Sequence, residues 1–479
     1  MASTETTVAR TPTLSMLTLT ALVVGSMVGA GVFSLPGRFA SETGVAGALI
    51  VWGIAGSGTL MLALVFQNLA MRKPELDAGV YAYAKAGFGE YLGFFSAFGY
   101  WASACVGNVT YWVLMTSTAG AVFPGLGSGD TPLAVAVSSA GVWVFYLLVR
   151  RGVREAAAIN RAVTVAKLVP IVVFVLLALF VLDPQVFVDN WSGSGGLGTL
   201  PEQVRATMLV TVFVFLGVEG ASVYSRHARR RKDVGRATVL GFLVVLSIFA
   251  SVTIVSYGVL PAAEIAALRQ PTMAGILEEA TGEWGAVFIS VGLLVAVLGA
   301  YLAWTLMAAE VLYVAAADHD MPRFLGRANT AGVPGPALLM STLLAQVVLL
   351  LTMFSEDAFT FALNLTSALV LVPLLLAAAY ALKLAVTRET YTERPQGHAR
   401  EYAVSALATL YVTFLLSAAG VDLLLLSFIV YACSTLLFVM VRREQGRRVF
   451  APRELVIFGI SLLGAAAGVA GLVMGWIDL

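Results

Sequence analysis

Gly25-Ser26-Met27-Val28-Gly29-Ala30-Gly31 puts three glycines within seven residues, in the middle of an otherwise apolar run. Each glycine costs a helix about 1 kcal/mol relative to alanine. The surrounding run, residues 14–39, has the length a bilayer crossing demands, about 20 apolar residues. It therefore reads as a spanning helix weakened at its centre. Gly25 and Gly29 also have the small-xxx-small spacing of close helix packing, so this stretch alone leaves both readings open.

A second stretch shifts the balance. Phe215-Leu216-Gly217-Val218-Glu219-Gly220-Ala221-Ser222 again clusters glycines in mid-span, now around a carboxylate. A charge at the bilayer centre costs at least about 2.5–3.5 kcal/mol, so it persists where it faces a cavity or a partner. Glycine-broken spans in the first and sixth positions are the mark of an inverted five-plus-five repeat. Broken ends expose backbone N–H groups, which attract a carboxylate, and carbonyls, which attract an ammonium. A site with both suits the backbone of a free amino acid.

The rest of the chain agrees with a membrane reading. Of 479 residues, 59% are hydrophobic and 12% charged, about half the charge of a soluble domain. That excludes an ordinary soluble enzyme, a disordered chain and a disulfide scaffold. Cys105 and Cys433 lie in apolar runs, and His227, His319 and His398 fall in polar connections. No metal site or cofactor is expected from them. A net charge of +1 calls for no nucleic acid.

Thirteen spans are expected, at 14–39, 45–71, 90–123, 132–149, 160–182, 203–225, 236–259, 284–317, 337–354, 359–386, 402–419, 421–441 and 454–477. The fold class is therefore an all-α integral membrane protein. Its organisation is a tail at 1–13, a first repeat at 14–182, an inverted second repeat at 203–386, and three terminal spans at 402–479. With the N-terminus in the cytoplasm, the cytoplasmic segments hold 25 of the 29 Lys and Arg residues and the outer ones three: Arg38, Arg205 and Arg269. The positive-inside rule then sets the orientation, with the C-terminus outside a cell membrane. The same rule accounts for Arg226-His227-Ala228-Arg229-Arg230-Arg231-Lys232 as a topology anchor. Ser192-Gly193-Ser194-Gly195-Gly196 reads as a flexible outer connection, and 72–89 as a re-entrant or surface helix on the cytoplasmic side.

Taken together, the two broken stretches and Trp304-Thr305-Leu306-Met307-Ala308-Ala309-Glu310 resemble the amino acid–polyamine–organocation superfamily. Within it the chain is most similar to the basic amino acid/polyamine antiporters, the arginine/ornithine subgroup nearest. The resemblance covers residues 14 to about 441 and implies twelve helices, the first ten in the inverted repeat. A thirteenth helix departs from that pattern and is expected to serve assembly or targeting.

The resemblance implies that the substrate carboxylate meets Ala30 and Gly31, with Ser26 one turn before. The family's arginine/agmatine exchanger has a serine where this chain has Ala30, so backbone N–H groups must do more. The substrate ammonium is expected at carbonyls from Phe213 and Leu216 toward Gly217, and Phe213 takes the place of a gating tryptophan. Trp304 matches an aromatic that stacks on the guanidinium, a contact worth about 0.5–2 kcal/mol when dry; its alternative is a core tryptophan. Asn108, with Tyr111 one turn on, matches a polar contact or serves as interhelical glue. Asn364, Thr366 and Ser367 are weaker candidates.

Glu219 is a counter-charge for a cationic substrate, a gate or proton sensor, or a neutral buried carboxyl. Glu310 belongs toward the cytoplasmic half, near an inner vestibule or a partner helix. Lys167, in the fifth span, either replaces the cation that sodium-coupled relatives hold, carries protons, or pairs with Glu219 or Glu310. The expected function is exchange of cationic amino acids, arginine against ornithine, with lysine a further substrate. The alternative is a proton-coupled permease of neutral or broad-range amino acids. No nucleophile–base pair or phosphate loop suggests an enzyme, and no filter motif a channel. The bilayer is the other expected partner; a homodimer stands open.

Overall fold

The computed structural model describes residues 15–76, 79–152, 156–218, 231–355, 357–392 and 395–477. Among the described residues every regular element is a helix, and there are no strands. In chain order the α-helices are α1 Met16–Met27, α2 Leu35–Ala40, α3 Val45–Arg72, α4 Val80–Phe88, α5 Glu90–Ala119, α6 Pro132–Arg150, α7 Ala156–Val181, α8 Pro184–Asp189 and α9 Leu200–Phe215. They continue with α10 Arg231–Ser256, α11 Ala262–Ala267, α12 Thr272–Thr281, α13 Glu283–Ala317, α14 Gly335–Leu351, α15 Ala358–Thr387, α16 His398–Ala418, α17 Gly420–Glu444 and α18 Pro452–Met474.

Nine of these helices are long and apolar enough to cross a membrane, and α1 with α2 forms a tenth span bent by 48°. The remaining expected spans correspond to α5, α7 and α9. In α5 the physical reason for its modest hydropathy is plain: every residue from Gly93 to Thr118 is buried. A helix enclosed by protein can carry Ser, Thr and Asn where a lipid-facing one cannot. By contrast α18 is peripheral, with Leu463 and Val473 exposed on the outside of the bundle. Its Gly464 and Gly468 let it close on Phe428 and Leu425 of α17, a small-residue packing seam.

Charge separates the two ends of the bundle. On the face rich in Lys and Arg, Arg72 Nε and Nη2 donate to Glu401 at 2.5 and 2.9 Å. Lys85 pairs with Asp320 at 2.5 Å, and the Tyr81 hydroxyl donates to Asp318 at 2.6 Å. Both contacts anchor α4, the expected surface helix of 72–89, beneath the end of α13. On the same face Arg442, at the end of α17, pairs with Glu90 and, at 3.3 Å, with Glu454. Glu454 also accepts from the Tyr91 and Ala451 backbone N–H groups. The α18 helix, at the last expected span, is thus tied directly to the start of α5.

The opposite face closes with mostly neutral groups. Gly37 N–H on α2 donates to Thr272 Oγ1 on α12 at 3.1 Å, and Arg38 donates to Thr360 Oγ1 at 2.7 Å. Asn190 binds the Tyr257 and Leu260 carbonyls and the Ala262 N–H. Carbonyls of Asn190 and Trp191 cap the N–H groups of Val45 and Ala46. The glycine-rich connection expected to be flexible begins at this cap: Gly193 N–H donates to the Asn190 carbonyl.

Candidate functional site

The break in the first span lies where the glycines fall. The α1 helix ends at Met27, Val28 leaves it at ψ 94°, and the chain resumes as a single 3₁₀ turn, Gly31–Ser34, that runs into α2. A helix end leaves its last carbonyls without helical partners. Lys167 of α7 satisfies two of them: its ammonium donates to the Gly25 carbonyl at 2.5 Å and the Val28 carbonyl at 2.8 Å. Lys167 is 1% exposed. Among the described residues it contacts carbonyls rather than Glu310, one of its two expected carboxylate partners.

In the sixth expected span the described helix ends beside the glycine. The α9 helix stops at Phe215, and Leu216 turns to ψ 130°. Gly217 follows at φ +105°, left-handed backbone that a side chain would strain. The Phe213 and Phe215 carbonyls each take an N–H from within the turn, of Leu216 and Val218. The Gly217 carbonyl accepts the Ser26 hydroxyl at 3.0 Å, so the two breaks are joined to each other. Glu219 and the Arg226–Lys232 anchor up to Arg230 lie outside the described residues.

Between the breaks is a cavity of about 20 Å³, room for about one water molecule. An amino acid enters it only when the helices move apart. Of the residues singled out in the sequence, Ser26, Gly31, Tyr111, Phe213, Leu216 and Trp304 line it together. The approach is close: a β-carbon on Gly31 would meet the Phe213 ring at 2.9 Å, and one on Gly29 the Tyr111 hydroxyl at 2.7 Å. Trp304 is 5% exposed and belongs to the middle of α13.

Other candidates fall around this wall. Ala30 is fully buried between Gly29 and Gly31. Asn108 adjoins the lining residue Gly107; its amide donates to Thr305 Oγ1 at 3.2 Å, and its Oδ1 is buried without a hydrogen-bond partner. Thr366 bonds its own helix at the Ala362 carbonyl, and Ser367 bonds the Leu363 and Leu209 carbonyls. Glu310 belongs to a separate cavity of about 650 Å³ on the basic face, shared with Glu75, Tyr81, Lys85, Asp318 and Asp320.

The sequence reading missed Met27, Ala104, Gly107 and Val214, which also line the site. Ala104 and Gly107 had a usable signal: with Asn108 and Tyr111 they follow the i, i+3, i+4, i+7 spacing of one helix face.

A multi-pass bundle of apolar helices, with the ends of α1 and α9 meeting at a buried, aromatic-walled cavity, has the form of a membrane transporter. The chain belongs to the amino acid permease family, whose model matches residues 14–477. It is 46% identical to the arginine/ornithine antiporter of Pseudomonas aeruginosa, over 96% of this chain and 97% of that one. It is 40% identical to the L-lysine transport protein of Corynebacterium glutamicum, over 98% and 96%. An arginine/ornithine antiporter of Latilactobacillus sakei is 37% identical over 96% and 97%.

Proposed function

We propose that this chain exchanges cationic amino acids across the cytoplasmic membrane, arginine against ornithine, with lysine as a further substrate. The observation that carries the reading is the meeting of both broken spans and one indole, Trp304, on a single buried cavity. The backbone N–H groups of Gly29 to Gly31 suit the substrate carboxylate, and the carbonyls near Leu216 and Gly217 suit its ammonium. The side chain then extends toward Trp304, with the unpaired Asn108 Oδ1 a second acceptor nearby. The names of the relatives at 46% and 37% identity support the same pair of substrates.

In this reading residues 14–182 and 203–386 are the inverted repeats, and the basic face is cytoplasmic. Transport is alternating access: the first, second, sixth and seventh spans rock against the rest. Phe213 closes over Gly31 from one side, and Glu219 serves as gate or charge sensor. The Lys167 ammonium, held by two α1 carbonyls, stands as a fixed cation, so exchange needs no sodium.

Counterflow in proteoliposomes tests this. Labelled arginine is expected to enter ornithine-loaded vesicles without sodium, and not empty ones. Entry into empty vesicles under an inward proton gradient would replace exchange with the proton-coupled alternative. Trp304→Ala is expected to weaken arginine by about 0.5–2 kcal/mol while sparing a neutral amino acid. Equal losses would remove the stacking role.

A further inference from the structure

We propose that the turn joining α17 to α18 is a headgroup site for an anionic phospholipid of the leaflet that meets the basic face. It stands whatever the chain transports. The connection 442–454 holds five arginines in thirteen residues. The protein itself uses two of them: Arg442 pairs with Glu90 and Glu454, and Arg447 pairs with Glu90 at 3.1 Å. The other three, Arg443, Arg448 and Arg453, are exposed. Their side chains have no ion pair or hydrogen bond among the described residues. The neighbouring acids are already engaged. Glu90 holds two arginines, Glu454 takes the Ala451 and Tyr91 N–H groups besides Arg442, and Glu444 accepts the Arg323 N–H at 3.0 Å.

The three arginines project from a braced turn. Gly446 N–H donates to the Arg443 carbonyl at 3.1 Å and Arg447 N–H to the Arg442 carbonyl at 3.0 Å, which closes the end of α17. The Phe450 ring packs on Tyr91, Phe438 and Phe458, with centroids 5.5, 5.8 and 5.0 Å away. Arg453 is the second residue of α18, where the positive end of the helix dipole disfavours a cation and favours an anion. An anion at this end removes the mismatch. Orientation in the membrane asks only for basic residues on this face. A guanidinium offers more, because its planar fork matches the oxygens of a phosphate. Exposed apolar side chains adjoin the turn: Met440, one turn before the end of α17, is 44% exposed, and Leu455 and Val456 at the start of α18 are 52% and 63% exposed. A cationic turn beside an exposed apolar wall is complementary to a phosphate carried on acyl chains. A soluble phosphate would use the arginines alone.

Native mass spectrometry of the full chain in detergent tests this, by titration with dioleoyl phosphatidylglycerol, which is anionic, or dioleoyl phosphatidylcholine, which is zwitterionic. The first phosphatidylglycerol is expected to bind more tightly than the first phosphatidylcholine. Arg448→Gln should weaken phosphatidylglycerol by about fivefold, the worth of one arginine near an anionic lipid. Arg443→Gln, Arg448→Gln and Arg453→Gln together should abolish the preference and leave phosphatidylcholine binding as it was. An equal loss for both lipids overturns a headgroup site. Arg150→Gln with Arg151→Gln removes two exposed arginines at the end of α6 on the same basic face, and should change neither affinity. If that pair lowers phosphatidylglycerol binding as far as the triple variant does, the attraction belongs to the whole face and the turn is no site. Glycerol 3-phosphate that displaces phosphatidylglycerol at equal concentration would make the ligand a soluble phosphate and overturn the lipid.

Discussion

The two faces of the bundle are closed by different chemistry. On the basic face the contacts are ionic: Arg72 with Glu401, Lys73 with Glu389, Lys85 with Asp320. On the opposite face a threonine hydroxyl takes an N–H, Arg38 binds a hydroxyl, and an asparagine caps backbone groups. Neutral hydrogen bonds respond little to salt or pH, whereas ion pairs respond to both. The two closures also differ in what they ask of the sequence. The neutral one needs small residues so that backbones can meet. The ionic one needs long side chains that reach across. In the alternating access proposed above, one closure opens at a time, so damage to each should bias the protein toward a different side.

The largest effect is expected at Glu401. Its two oxygens take the Arg72 fork, the Tyr391 hydroxyl donates to it at 2.7 Å, and the Arg72 guanidinium lies 3.6 Å from the centre of the Tyr391 ring. The paired side chains are only 10% and 17% exposed. Glu401→Gln keeps the shape and removes the charge. Arg72 retains the Thr390 and Gln396 carbonyls, so the cost to closure is that of a charge-assisted hydrogen bond, about 1.5–3 kcal/mol. A reporter cysteine at Ala104, in a chain without Cys105 and Cys433, reads this out. Labelling by an impermeant maleimide from the basic face should accelerate about ten- to a hundredfold. An unchanged rate would mean that apolar packing closes this face unaided.

The opposite face should break through packing rather than charge. A β-carbon at Gly37 would overlap the Thr272 methyl group and crowd its hydroxyl. Overpacking of this kind costs about 1–3 kcal/mol. Gly37→Ala is thus expected to speed labelling of the same cysteine from the opposite face, and to be independent of salt. Thr272→Ser deletes the methyl and keeps the acceptor for Gly37, so the double variant should return toward wild type. Failure of that rescue would mean that Gly37 is needed for its backbone rather than for its lack of a side chain.

Much of the spanning architecture was legible in the sequence because it rests on local signals. Apolar runs of bilayer length, the glycine clusters at 25–31 and 217–220, and the bias of Lys and Arg need no knowledge of partners. The central cavity was legible in part: six of the singled-out residues share its wall. What could not be read was the pairing. Lys167 has two expected carboxylates in the chain; it donates to carbonyls at the end of the first helix, 139 and 142 residues away, rather than to Glu310, and Glu219 lies outside the described residues. Ser26 and Gly217 meet across 191 residues of chain. Likewise the tie from α18 to α5 through Arg442 depends on three residues spread over 364 positions, and no local pattern encodes it.

The smallest effect sharpens the comparison most, because its sign is opposite to what an ion pair suggests. Lys85 meets Asp320 at 2.5 Å, yet the lysine is 36% exposed and the aspartate 13%. Burial pushes the Asp320 carboxyl above its ordinary value, and the Lys85 ammonium pulls it back only partly. The closed face therefore binds a proton more readily than an open one, in which water restores the ordinary value. Linkage then favours closure as pH falls through the interval between the ordinary and the raised value, and removes that advantage as pH rises. Asp320→Asn should mimic the protonated group: labelling from the basic face slows, by less than about fivefold for so exposed a pair, and its pH response in that interval disappears. Lys85 loses little, since water still reaches it. Faster labelling in Asp320→Asn would show that the pair outweighs the desolvation of its carboxylate, and would make Asp320 a weaker copy of Glu401. Slower labelling would separate the two: Glu401 holds the face shut, and Asp320 is a charge that the closed face tolerates at a cost.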